Sequence, residues 1–163
     1  MKRTFVSSVA VPILLALSAS SSAAQHSLAA ADLEGAWKLV SLTYDGQPQP
    51  ATGYMIFNDG HYSFLTNRER PRIPAGAGEK APSALAPEEV RAYVEAFRNM
   101  TGAAGSFSIK GDEVIYVMEV ARTPNLMGQT EERKSWLADG RLVQDFMGGG
   151  RRQVYTWERV GRK

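Results

Sequence analysis

The chain has 163 residues, of which 44% are hydrophobic, with 19 basic and 17 acidic side chains and no cysteine. The absence of cysteine excludes disulfides, a lipid-modified cysteine anchor and a cysteine nucleophile. Arginines cluster at positions 68–72 and 151–152, but without the row of aromatic side chains on which single-stranded nucleic acids stack. We therefore expect no nucleic-acid partner.

The first 24 residues have the three regions of a secretory signal peptide. Lys2 and Arg3 precede an apolar run over residues 9–17, and small residues follow up to Ala24. The run is shorter than the roughly 20 residues that cross a bilayer, so no stable membrane anchor is expected. The sequence therefore predicts cleavage near Ala24 and a periplasmic or secreted protein, with a flexible tail over 25–31 and one domain over 32–163.

Eight segments rich in branched and aromatic residues predict β-strands. In chain order they are 36–44, 54–57, 61–66, 105–109, 113–121, 129–137, 142–147 and 151–160. Asp59-Gly60, between the second and third segments, predicts a tight hairpin because both residues tolerate positive φ. Three of the last four connections are also short and contain glycine, which favours antiparallel neighbours.

One amphipathic helix is predicted over residues 87–100, after a long loop at 67–86. Pro87 suits the first helical position, and four apolar residues share one face: Val90, Tyr93, Val94 and Phe97. We expect this face to be buried on the domain, either as a lid over its opening or packed passively against its outer wall.

Sequential hairpins of this number predict an all-β fold, an eight-stranded antiparallel up-and-down barrel with the helix inserted between strands 3 and 4. Closure would pair the first strand with the last and leave no exposed edge. A two-sheet sandwich of short strands is the alternative.

Several motifs resemble the bacterial lipocalin-like domain family over residues 33–160. They are Gly35-x-Trp37 with Arg159, Gly53-Tyr54-Met55-Ile56-Phe57 before Asp59-Gly60, Pro87-Glu88-Glu89-Val90, and Pro124-Asn125-x-x-Gly128. The resemblance implies a lipocalin-like barrel in which Trp37 lies across the floor and Arg159 covers it. Gly35, Trp37 and Arg159 are therefore expected to be structural.

Alternation along each strand then predicts the interior. If Trp37 points inward, Leu39, Ser41 and Thr43 follow it. Two further faces are expected inside: Val114, Tyr116, Met118 and Val120, and Gln153, Tyr155, Trp157 and Arg159. The predicted ligand-binding residues are Trp37, Leu39, Tyr54, Tyr116, Met118, Asn125, Tyr155 and Trp157, with the orientation of Tyr54 assumed.

Asn125 and Arg133 lie near the predicted rim. One interpretation makes Asn125 and the nearby Arg133 polar anchors for a ligand head group, and the simpler one has Asn125 bond to its own turn. Arg133 belongs to the charged segment Thr130-Glu131-Glu132-Arg133-Lys134, which favours a solvated face.

The leading hypothesis is a protein that binds a small hydrophobic or amphipathic molecule in the barrel cavity. His26 and His61 are the only histidines, and neither belongs to a metal or catalytic motif, so we expect no metal, no cofactor and no identifiable catalytic residue. Two alternatives stay open: an isomerase or cyclase using the same cavity, and a filled barrel that contacts a protein partner through loop 67–86. The sequence identifies neither the ligand nor the oligomeric state.

Overall fold

The fold is known from a computed structural model, which describes residues 28–161. The predicted signal peptide and the first part of the predicted tail lie outside these residues. The helices are α1 (Ala30–Leu33) and α2 (Pro87–Arg98). The strands are β1 (Gly35–Tyr44), β2 (Gln47–Pro48), β3 (Ala51–Asn58), β4 (His61–Arg68), β5 (Met100–Lys110), β6 (Glu113–Ala121), β7 (Thr130–Ala138), β8 (Arg141–Gly148) and β9 (Arg151–Arg159).

The long strands form one closed antiparallel barrel. Each pairs with its neighbours along the chain, and β1 also pairs with β9, from Trp37 opposite Arg159 to Tyr44 opposite Gln153. This pairing confirms the predicted eight-stranded barrel, with α2 between the third and fourth long strands, and excludes the sandwich. The two-residue strand β2 is an addition that pairs antiparallel with the last two residues of β1.

The β3–β4 hairpin forms at the predicted turn. Asp59 has φ 47° and Gly60 has φ 72°, so both central residues adopt positive φ. This conformation twists in the same sense as the two strands, which explains why Asp-Gly is favoured there.

The barrel has two different ends. One end, which we call the base, holds the start of β1, the end of β9 and three hairpins, β3–β4, β5–β6 and β7–β8. We call the mouth the opposite end, where the chain leaves β1, β4, β6 and β8. The long segment 69–99, including α2, belongs to the mouth, as do the connections at 122–129 and 149–150.

Two β-bulges change which side chains face inward. Val40 is an extra residue between the pairs Leu39–Trp157 and Ser41–Thr156, so Leu42 replaces Ser41 inside. Beyond the bulge Tyr44 packs against the core, so the predictions that Ser41 and Thr43 face inward are wrong.

The second bulge is in β6. Glu119 is the extra residue between the pairs Ala104–Val120 and Gly105–Met118. Met118 is buried as predicted, but Val120 is 63% exposed and its predicted inward position is wrong. A bulge adds one residue to a strand and thereby reverses the alternation beyond it.

Helix α2 is rotated relative to the prediction. Its buried positions are Glu89 and Ala96, with Tyr93 half-buried between them, whereas Val90, Val94 and Phe97 are exposed. Glu89 holds the helix start, accepting hydrogen bonds from the backbone N–H of Ala86 (2.8 Å) and from Lys80 (2.7 Å). The expected burial of the apolar stripe is therefore wrong for these three side chains. Full burial of a valine or phenylalanine stabilises a fold by about 1.5–3 kcal/mol, and these half-exposed side chains realise only part of that gain.

The segment before β1 packs on the base. Leu28 is buried in the core, and Leu33 of α1 is fully buried. Residues 28–31, the second part of the predicted loose tail, are thus structured. Within residues 28–161, no helix has the length and apolarity to span a membrane.

Candidate functional site

The base of the barrel is sealed around Trp37. This side chain is 1% exposed, and its indole N–H donates to the carbonyl of Leu33 (2.7 Å). The guanidinium of Arg159 lies over the Trp37 ring, 4.2 Å from its centroid, so the predicted stacking is present. Arg159 also donates to two backbone carbonyls, those of Asp32 and Glu34. Gly35 has φ 108° and leaves room for the arginine, whose Nη1 would lie 3.4 Å from a Cβ at that position.

A buried polar network fills the middle of the barrel. The fully buried Gln144 amide donates to the hydroxyl of Tyr116 (2.5 Å) and accepts from the indole N–H of Trp157 (3.1 Å). Burial raises the pKa of Tyr116, so its hydroxyl is neutral at ordinary pH. The hydrogen bonds offset the cost of burying these polar groups. This part of the interior is therefore packed.

Arg133 lies inside the barrel, above this network. Its side chain is 4% exposed and forms an ion pair with Glu131, whose Oε2 accepts from Nη2 (2.6 Å) and from Nε (2.9 Å). Four aromatic rings surround the guanidinium with centroids 4.2–5.9 Å away, those of Phe64, Tyr116, Phe146 and Tyr155. Burial lowers the pKa of Arg133, but the charge and hydrogen bonds of Glu131, together with the nearby phenols of Tyr116 and Tyr155, outweigh it and the net shift is upward. Arg133 is therefore a permanent buried cation in an aromatic cage.

A cavity of about 160 Å³ adjoins Arg133 at the mouth end of the interior. Its lining residues are Phe64, Thr101, Gly102, Ala103, Met118, Leu126, Glu131, Arg133, Phe146, Gly148, Gly149, Gln153 and Tyr155. Leu126 and Gly149 are exposed, so the cavity reaches the surface. An apolar cavity of about 150 Å³ holds one benzene ring, and this one is of similar size. The interior is thus neither an open hollow nor completely filled.

A second buried phenol lacks a partner. Tyr62 is 4% exposed, and its hydroxyl forms no hydrogen bond with any residue of the described chain. Its ring packs edge-on against that of Tyr116, with centroids 4.6 Å apart. Burial raises the pKa of Tyr62 to about 12, so the hydroxyl keeps its proton. An unsatisfied buried hydroxyl costs roughly 1–3 kcal/mol, so this group would gain from a water or ligand partner.

The predicted ligand-binding residues separate into three groups. Met118 and Tyr155 line the cavity, and Tyr116 contacts Arg133 from below. Trp37, Leu39 and Trp157 are buried in the packed base and middle. Their proposed contact with a ligand stays a prediction.

The other two, Tyr54 and Asn125, lie outside the barrel. Tyr54 is 54% exposed because Gly53, Met55 and Phe57 take the inward positions of β3, so its predicted place in the wall is wrong. Asn125 is exposed in a short 3-10 helix, Pro124–Leu126. It is not among the cavity residues.

Glu131 and Gln144 were not predicted as site residues. The expectation of a solvated face for Arg133 is wrong, because its side chain is 4% exposed. Charged side chains fall on both faces of β7, so periodicity in that strand could not orient it. Its pairing with β6 carries the missing signal, because Arg133 lies opposite Val114 and Glu131 opposite Tyr116. Residues opposite each other in antiparallel strands share a face, and both β6 residues were correctly predicted inside. No group of three acidic or histidine side chains suited to a metal ion occurs within residues 28–161.

Comparison with known proteins identifies the family. A family model of the lipocalin-like domain matches residues 34–160. A mutant of the fluorescent protein UnaG, known from a crystal structure, is 12% identical, with a TM-score of 0.39 over 82% of this chain and 100% of that chain. No curated protein is similar enough to count as a match. The family model spans most of the sequence, and the chain therefore belongs to the lipocalin-like domain family.

Proposed function

We propose that this protein binds a small amphipathic molecule in the mouth cavity, with a hydrogen-bond acceptor such as a carbonyl or carboxylate directed at Arg133. The observation that carries the proposal is the buried guanidinium of Arg133 at the wall of an aromatic-lined cavity. Ligand sites of this type combine a mostly apolar lining with a few polar groups that fix orientation.

The Arg133–Glu131 pair provides the polar part of the site. Arg133 donates from Nε and Nη2 to the Glu131 carboxylate, while its Nη1 is 3.4 Å from the Gln144 amide oxygen, which is a long hydrogen bond. A guanidinium has five N–H donors, so it can donate to a ligand as well as to Glu131. The Glu131 side chain is 24% exposed, so a carboxylate ligand can displace it toward water.

The apolar part of the site limits the size of the ligand. Phe64, Met118, Phe146 and Tyr155 line the cavity together with the exposed Leu126. The Gln144 network and the aromatic core close it from below. A molecule with about one ring fits the volume of about 160 Å³, whereas a longer chain must extend past Leu126 into solvent.

The alternative of an enzyme requires an acid or base available at the cavity. Glu131 is ion-paired with Arg133, and burial raises the pKa of the phenols Tyr62 and Tyr155, which keeps them protonated. These features favour binding over proton transfer.

The experiment is solvent extraction of the purified protein with mass spectrometry of the extract, followed by calorimetric titration with the compound found. Ala103→Leu fills the cavity while leaving Arg133 intact, and Ala104→Leu, on the outer face of β5, is the matched control. We expect Ala103→Leu to abolish binding and Ala104→Leu to preserve it. Equal binding by both variants would overturn the site. If no compound is extracted, a panel of aromatic acids, amides and alcohols is titrated instead. Failure of all of them to bind would also overturn the site.

We propose further that the protein acts outside the cytoplasm, on the support of the signal-peptide pattern at residues 1–24. Expression in a bacterial host, followed by cell fractionation and amino-terminal sequencing, tests this. A mature chain starting at Gln25 in the periplasm or medium supports export, and an intact amino terminus in the cytoplasm contradicts it.

A further inference from the structure

Helix α2 presents an apolar stripe to solvent at the mouth. Val90, Val94 and Phe97 are 42–51% exposed and lie at i, i+4 and i+7, on one side of the helix. Leu126 and Met127, in the connection between β6 and β7, are also exposed at this end. Single exposed apolar residues are ordinary, but a grouped set on one end of a domain is typical of an interaction surface.

Four arginines adjoin this stripe. Arg68, Arg91, Arg98 and Arg151 line one groove between α2 and the ends of β4 and β9, with Val94 among them. Arg68 and Arg151 both approach the ring of Tyr44, at 5.8 and 5.0 Å from its centroid. The groove therefore brings like charges together next to exposed apolar side chains.

These charges are only partly balanced. None of the four arginines forms an ion pair within residues 28–161, although Glu95 also lines the groove. The base differs, since its hairpin turns carry both signs of charge: Lys110 and Arg141 stand beside Asp59 and Asp139, and Asp112 forms an ion pair with Lys134 (3.0 Å). The mouth thus has several arginines without ion pairs next to apolar side chains, whereas the charges of the base are mixed. This arrangement orients the mouth toward a negatively charged surface.

We propose that the mouth end docks on an anionic lipid bilayer, with α2 lying in the headgroup region. The arginines would contact lipid phosphates, and Val90, Val94 and Phe97 would enter the apolar boundary. An amphipathic helix with basic and apolar residues binds membranes by both contributions. A nucleic acid uses the charges but gains little from Val90 and Val94, and a single aromatic ring, Phe97, does not form the row on which successive bases stack, so the combination favours lipid. The cavity then opens toward the membrane.

Co-sedimentation with phosphatidylcholine vesicles, with and without phosphatidylglycerol, tests this. We expect binding only to the anionic vesicles, with affinity that falls as salt is added. Arg91→Gln should weaken binding about fivefold, the usual effect of one basic residue near an anionic surface. Val94→Ala with Phe97→Ala should weaken it about tenfold through lost apolar contact.

Matched variants at the base are the controls. Arg141→Gln removes an exposed charge from the β7–β8 hairpin, and Ile56→Ala with Leu137→Ala shortens two exposed apolar side chains away from the mouth. These variants should bind like the unmodified protein, and the circular dichroism of all variants should match. Three outcomes would overturn the proposal. They are no vesicle binding at low salt, an equal loss of vesicle affinity in the mouth and base variants, and binding to heparin in place of vesicles that Val94→Ala with Phe97→Ala leaves unchanged.

Discussion

The base and the mouth of this barrel are built from the same strands but differ in packing. At the base, Trp37 is enclosed by α1 and Arg159, and the arginine's donors reach backbone carbonyls. At the mouth, a cavity adjoins Arg133 and the apolar stripe of α2 is exposed. The comparison indicates that stability is concentrated at one end and adaptable contact at the other.

The two inner arginines show the same difference. Arg159 covers a tryptophan and closes the structure, whereas Arg133 lies in a ring of aromatic side chains beside a cavity. A buried cation needs a counter-charge or several hydrogen bonds to offset its desolvation. Arg159 donates to backbone carbonyls, which are fixed, while Arg133 depends on Glu131, a side chain that can move.

The largest effect should come from the base. Trp37→Ala removes a fully enclosed ring and leaves a cavity, so we expect the free energy of unfolding to fall by about 3–5 kcal/mol. Met127→Ala, at a mouth position that is 50% exposed, should change it by less than about 0.5 kcal/mol. Urea denaturation of the two variants measures this, and similar losses would contradict the division between the ends.

The next largest effect should come from Arg133. Arg133→Met leaves Glu131 without its cation, and we expect a loss of about 3 kcal/mol in unfolding free energy. The reason is that removing one partner of a buried ion pair costs more than replacing both partners with apolar residues. Glu131→Leu added to Arg133→Met should restore most of this stability. Denaturant unfolding of the single and double variants gives the coupling energy. A double variant as unstable as Arg133→Met would show that Arg133 acts through its aromatic contacts instead.

The alternation of side chains between the two faces of each strand, together with the short connections, predicted the barrel and part of its interior correctly. The β9 face with Tyr155, Trp157 and Arg159 is inside as expected, since no bulge interrupts that strand before the base. In β1 and β6, one extra residue in each reverses the faces, at Val40 and Glu119. Neither residue type marks a bulge, so a single sequence carries no local signal for these shifts.

The candidate site was predicted less completely, for physical reasons. Met118 and Tyr155 follow from strand period, but Arg133 is buried by its aromatic neighbours on other strands, which only the pairing brings together. Helix α2 has the predicted start and period, yet it buries Glu89 and Ala96. Ala96 is small and permits close approach of the helix, and Glu89 is held by Lys80, whereas the apolar stripe alone indicated a buried face rotated from the observed one.

A smaller effect separates the two buried phenols. Tyr116→Phe removes the acceptor for the Gln144 amide and should cost about 1–2 kcal/mol. Tyr62→Phe removes a hydroxyl with no partner among the described residues, so stability should stay level or rise by up to about 1 kcal/mol. Urea unfolding of both variants checks this. A clear loss for Tyr62→Phe would reveal that a bound water or ligand satisfies its hydroxyl.

The smallest effect concerns the attachment of α2 at the mouth. The hydrogen bond from Lys80, with that from the Ala86 N–H, lowers the pKa of Glu89. A lowered pKa means that Glu89 supports the helix above the ordinary value of 4.5, and that this support is lost as the pH falls through the lower folded value. Glu89→Gln at neutral pH should therefore speed amide hydrogen exchange in α2 by a few-fold while leaving exchange near Trp37 unchanged. Faster exchange at both ends would mean that α2 and the base open as one cooperative unit.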